Sequence, residues 1–214
     1  MKIVRKIKTI INCFFRSFIN RNKRKQLKNK NITLIASNCN GCLILHDLGL
    51  RFNSPFVNMF IEARDYIKLL SNLSQYLNME LSFEETDNFS YPIALLGDVK
   101  LHCVHYKSKQ EVIEKWRTRI KRMDMSKCFV MFTDRDGCNF ELLKEFDSLP
   151  YDNKVVFTHK PYAEIKSSFY IHGFEEADCV GNLFHYKGWN GKKYYDDFDY
   201  VAWFNGELKI GENK

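Results

Sequence analysis

The chain of 214 residues is 45% hydrophobic and 15% aromatic, enough for one good-sized core and too short to close a second full domain beside it. Its net charge of +7 is unevenly spread. Lys2, Arg5, Lys6, Lys8, Arg16, Arg21, Lys23, Arg24, Lys25, Lys28 and Lys30 all fall in the first thirty residues, which hold no Asp or Glu, so subtracting these eleven charges leaves the remainder at −4. A body of that sign lacks the basic face of a specific nucleic-acid binder, and seven scattered cysteines, an odd number, argue against a disulfide framework and for a reducing, cytoplasmic setting.

Residues 1–30 form a basic amphipathic arm ahead of a single α/β domain over 31–214. On a helix, Ile3, Ile7, Ile10, Ile11, Phe14, Phe15 and Phe18 recur at steps of three and four and make one apolar stripe, with Lys2, Arg5, Lys8, Asn12 and Arg16 elsewhere on its surface. Two arrangements suit that pattern: the stripe adsorbed on an anionic membrane at the inner face of the cell membrane, or the stripe docked on the body with Lys and Arg solvated. Basic residues interrupt the apolar ones throughout, unlike a secretory signal, and no stretch is long enough to span a bilayer.

From Asn31, NITLIAS reads as a strand, NCNG as a polar turn, and CLILHDLGL as a short helix closed by Gly49. Tyr66, Leu69, Leu70, Leu73, Tyr76 and Leu77 put a buried stripe on one helix over 62–79. IALLGDVKLHCVHY reads as a hairpin turning at Gly97 and Asp98, with His105 on the strand face shared by Val99, Leu101 and Cys103. A helix over 109–123, the apolar strand KCFVMFT, a helix near 141–146 and the strand KVVFT follow. The alternation predicts a mixed, mainly parallel sheet with helices on both faces.

Several residues are candidates for chemistry. Asp134 and Asp136, in DRD directly after an apolar strand, have the spacing with which carboxylates share Mn or Mg and neutralise a nucleotide diphosphate; an Asp-rich turn with Gly137 as its bend gives the same letters. Lys115, Arg119 and Arg122 align on one helix face, suited to phosphates or an acidic sugar and equally to solvent. Cys39 and Cys42 form a CxxC after a strand, and Cys39 with His105 as base would make a nucleophile. Asp196, Asp197 and Asp199 stand in an aromatic run whose Tyr200 and Trp203 suit either a sugar ring or a core.

NCNG at 38–41, LGLRFNSPFV at 48–57, DYIKLL at 65–70, YPIALLGD at 91–98, HY at 105–106, EKWRTR at 114–119, DRDG at 134–137 and FDYVAWFN at 198–205 together resemble a bacterial family of unknown function. Its members are commonly labelled exopolysaccharide or capsule biosynthesis proteins. The resemblance covers roughly Ile32 to Asn205. It implies a role in surface-polysaccharide synthesis at the cytoplasmic side of the membrane; where the family's opening turn carries a second glycine, this chain has Cys42. The combined expectation is a metal-dependent sugar transferase using a nucleotide sugar. Asp134 and Asp136 would hold the metal, Asn38, Lys115, Arg119, Tyr200 and Trp203 the substrate, and Asp98, His105 and Cys39 would serve as acid, base or nucleophile. The alternatives are a Cys39–His105 transferase or hydrolase acting on the polysaccharide, and a non-catalytic carbohydrate-binding assembly factor.

Overall fold

In the computed structural model, which describes residues 2–211, the chain runs α1 (Lys2–Gln26), β1 (Thr33–Ala36), α2 (Cys39–Leu48), α3 (Ala63–Ser71), α4 (Leu73–Leu77), β2 (Leu81–Glu84), β3 (Ile93–Leu96), β4 (Val99–His102), α5 (Lys109–Ile120), β5 (Cys128–Thr133), α6 (Phe140–Ser148), β6 (Lys154–Thr158), β7 (Ser168–Tyr170) and α7 (Tyr200–Phe204). The fold is mixed α/β. Its parallel strands form one sheet in the order β1-β5-β6-β7, and its antiparallel strands segregate into a second, β2-β3-β4. Successive strand residues point to opposite faces, so the parallel sheet buries two half-cores. Ile35, Val130, Phe132 and Val156 pack with α3, α5, α6 and the antiparallel sheet; Leu34, Ala36, Phe129, Met131, Val155 and Phe157 pack with α2 and α7.

Three elements depart from the sequence pattern. The helix expected over 62–79 is two helices, broken at Asn72 (φ −135°, ψ 37°), whose residue type favours local turns over helix interiors. NCNG is the start of α2, with the Asn38 side chain accepting from the Asn40 N–H as its N-cap. And β4 stops at His102, because its partner ladder ends at Pro92, which has no N–H to offer; Cys103 N–H bonds the Pro92 carbonyl and the chain turns away, carrying His105 out of the strand.

α2 lies close on β1 because residue 41 is glycine. A Cβ there would sit 2.5 Å from Ala36 Cβ and 3.1 Å from Leu34 Cδ2. Gly41→Ala should therefore destabilise the protein by about 1–2 kcal/mol, overpacking outweighing alanine's better helix propensity. A denaturant midpoint that stays level or rises would contradict this close approach.

α1 is seated on the body by its polar side, the reverse of the alternative in which the stripe docks on the body and Lys and Arg are solvated. Arg16, 5% exposed, donates from Nη2 to Asp47 Oδ2 at 2.7 Å and pairs through Nη1 with Asp196; Asn20 Nδ2 donates to Asp47 Oδ1 at 3.0 Å, and Lys23 pairs with Asp196 at 3.0 Å. Asn12 clasps the loop before α7, donating to the Gly188 carbonyl at 2.9 Å and accepting from the Gly191 N–H at 2.8 Å. Gly191 (φ 75°) comes so near that a Cβ would lie 2.6 Å from the Arg16 backbone nitrogen. The physical cause is charge: the acidic groups of the body are complemented by the acid-free helix, and the stripe faces outward.

Candidate functional site

At the carboxyl ends of β1 and β5 the chain opens a cavity of about 260 Å3, lined by Asn38, Cys39, Asn40, Phe60, His105, Arg135, Asp136, Asn182 and Phe184. Crevices beyond the carboxyl ends of parallel strands are where open α/β sheets take ligands. Here α2 begins, and its first turn carries backbone N–H groups without helical partners and the positive end of the helix dipole. Asn38 ties the turn to β5, its Nδ2 donating to Thr133 Oγ1 at 2.8 Å and reaching Asp136 Oδ2 at 3.5 Å. Asn40 is 3% exposed, and its Oδ1 has no partner among the described residues. Arg135 leans across the mouth, Nη1 donating to Asn182 Oδ1 at 2.7 Å.

The walls are held by unusual backbone. Among the described residues, the non-glycine residues with positive φ are Asn58 (65°) and Asp136 (56°). Asp136 lines the cavity, while the Asn58 carbonyl accepts from the His105 N–H at 3.3 Å and precedes Phe60 by two residues. Left-handed conformations cost non-glycine residues energy and are retained where surrounding contacts over-determine them, often at working sites. One face of the Phe60 ring lies on His102, at 4.2 Å between centroids and 10° between planes.

The structure brings Asn38, Cys39, His105 and Asp136 together. His105 is exposed at the rim rather than set in the strand face. Hydrogen bonding to Cys42 and then burial push the Cys39 thiol up, toward its neutral form.

The remaining candidates lie elsewhere. Asp134 is turned inward from Asp136: it is 6% exposed, with Oδ2 accepting from the His159 N–H at 2.7 Å and meeting His159 Nδ1 at 2.5 Å, and Oδ1 accepting from the Val180 N–H at 2.8 Å. Asp134 and Asp136 thus face different surroundings, and among the described residues no three His, Cys, Asp or Glu side chains are placed to hold a metal ion. Asp98 sits in the β3–β4 turn, at the far end of β4 from His105. There it accepts from Tyr76 Oη at 2.6 Å and pairs with Lys68 at 3.2 Å, contacts that hold its carboxyl below the usual range.

Arg119 is buried, donating from Nη1 to Tyr106 Oη at 2.6 Å, and with Lys115, Arg51 and Arg122 it lines a different cavity. Tyr200 and Trp203 are core residues, fully enclosed, with Trp203 edge-on to Phe129 at 4.9 Å. Neither presents a ring to a sugar. Of the acidic cluster, Asp196 serves α1, Asp197 pairs with Lys187 at 2.7 Å, and Asp199 caps α7.

Arg135, Asn40, Phe60, Asn182 and Phe184 are the cavity residues that sequence reasoning passed over. Arg135 had a signal, standing between the two aspartates singled out; Asn182 and Phe184 belong to a loop with no periodicity to mark it.

The family model described as a domain of unknown function (DUF1919) matches residues 10–205, so it begins inside α1 and takes in its docked residues. The chain is also similar to an uncharacterized protein of Haemophilus influenzae, 49% identical over 205 residues that span 96% of this chain and 99% of that protein.

Proposed function

The chain belongs to the DUF1919 family, and we propose that it is a sugar transferase of surface-polysaccharide synthesis that takes a phosphate-linked sugar donor, such as a nucleotide sugar, at the α2 cavity. The observation that carries the reading is the convergence of two anion-binding features at one strand-end crevice, the α2 N-terminus and the Arg135 guanidinium. In this reading the protein's own groups meet the donor's charge, with Asp134 turned into the fold.

The chemistry follows from placement. N–H groups of the α2 first turn and Arg135 hold the leaving phosphate, whose negative charge grows as the bond from the anomeric carbon to the phosphate oxygen breaks. An acceptor hydroxyl forms the new carbon–oxygen bond and gives its proton to a His105 ring nitrogen at the rim. Phe60 and Phe184 supply apolar walls for the sugar ring.

A panel of nucleotide sugars and sugar phosphates, run with and without EDTA, should stabilise the protein by up to about 2.7 kcal/mol at a hundredfold excess over Kd, read as a rise in melting temperature. The shift should persist in EDTA and vanish in Arg135→Ala. No shift across the panel, or an equal shift in Arg135→Ala, would end the proposal.

A further inference from the structure

The side of α1 turned away from the body is apolar. Ile3 is 73% exposed, Ile10 68%, Phe14 60% and Phe18 50%, with Val4, Ile7 and Phe15 exposed beside them. Isolated surface hydrophobes are ordinary, but this is one unbroken strip about 22 Å long at the rise of a helix. It cannot roll inward without withdrawing Asn12, Arg16 and Lys23 from Gly191, Asp47 and Asp196. The helix is therefore clamped with its apolar face out.

What surrounds the strip identifies what covers it. Arg21 and Lys25, both exposed, continue it two turns beyond Phe14 and Phe18, Arg5 and Lys6 are exposed nearer its start, and α1 contains no acidic residue. Trp189, 47% exposed, is held beside α1 by the Asn12 contacts to Gly188 and Gly191, with Lys8 Nζ 5.7 Å from its ring centroid. An aromatic and aliphatic strip ringed by Lys and Arg, with a tryptophan at its margin, matches the boundary of a bilayer that carries anionic headgroups. A second copy fits poorly, since pairing two such helices would bring their uncompensated basic charges together. None of the described helices is long and apolar enough to cross a membrane, so the strip would lie along the surface.

We propose that α1 is a fixed membrane-docking face: it lies in the headgroup region of an anionic bilayer with Ile3, Ile7, Ile10, Phe14 and Phe18 inserted and Trp189 at the edge. This stands apart from the sugar-transfer reading, since neither set of residues contributes to the other.

Flotation of the full-length protein with phosphatidylglycerol–phosphatidylcholine vesicles, beside pure phosphatidylcholine vesicles, tests it. Binding should favour the anionic vesicles and fall with salt; Arg21→Glu/Lys25→Glu should weaken it at least about twentyfold, at roughly fivefold per basic residue. Phe14→Ser/Phe18→Ser should weaken it at least about tenfold while the melting temperature holds, because both rings are already solvated. Three results would overturn the proposal: no flotation with anionic vesicles, equal flotation of the Phe variant, or a concentration-dependent dimer that the Phe variant dissolves in a protein that ignores vesicles.

Discussion

Arg16→Ala should lower the stability of the protein by about 3 kcal/mol, a fall of roughly 6–12 °C in melting temperature for a chain of this size. The guanidinium is the fork between two buried carboxylates, Asp47 and Asp196, from two distant parts of the sequence. Removing it leaves both inside the protein with only Lys193 and Lys23 to balance them, at 2.9 Å and 3.0 Å. Those lysines keep the loss near the lower end of the range for a broken buried pair. Arg16→Lys should fall between the two, since an ammonium group cannot span both partners.

The same cluster sets a pH dependence. Burial alone would raise the Asp47 carboxyl, but hydrogen bonds from Tyr195 and Lys193 and the charge of Arg16 outweigh it and hold Asp47 at about 2, against 3.8 for the free group. A lowered folded-state value means that the contribution is complete above the unfolded value and disappears as pH falls through the folded one. The gap in melting temperature between wild type and Arg16→Ala should thus be constant above about pH 5 and shrink between about 4 and 2. A gap that widens on acidification would show that Asp47 is not the partner that matters.

Asp134→Ala should also be severe, and for a reason unrelated to any ligand. It strips the acceptor from the His159 and Val180 N–H groups and from the His159 ring, all in the interior, at a cost of about 3 kcal/mol or more. Because Val180 and His159 belong to the stretch after β6, the loss should loosen that stretch first, visible as faster amide exchange at Val180. Were Asp134 a metal ligand instead, the variant would fold with the melting temperature of the wild type and lose only a manganese-dependent shift. An unchanged melting temperature would therefore refute the structural role given to Asp134.

The elements that could be read from the residues are those whose signals are local. Continuous apolar runs located β1, β5 and β6, the hairpin pattern β3 and β4, and helical patterns with their end signals α2, α5 and α6, and Gly97 and Gly49 do adopt the left-handed backbone that hairpin and helix end require (φ 61° and 69°). β2, partly exposed on both sides and paired only to β3, carries no such pattern, and α7 and the loops before it are organised by long-range partners such as Asp134 and Arg16.

The site divides the same way. Asn38, Cys39 and Asp136 follow strands, where the carboxyl-end rule finds them. Yet whether Asp134 faces the cavity or the core depends on what His159 offers it, and no spacing in DRD records that. Tyr200 and Trp203 show the limit of composition: aromatic richness is common to carbohydrate sites and to cores, and only burial distinguishes them. The arm is the clearest case. Its amphipathicity is plain in the sequence, but which side is glued down follows from acidic groups at positions 47 and 196.

α2 is a single rod of ten residues, about 15 Å long, whose first turn builds the cavity and whose far end carries Asp47. The outer helix and the cavity are thus joined by one stiff strut rather than by a linker. Whatever surface α1 settles on fixes the height and tilt at which the cavity mouth is held above it, as a bracket fixes a shelf to a wall. The protein presents its cavity at one set orientation, so in the proposed transfer an acceptor would arrive along the direction that orientation leaves open.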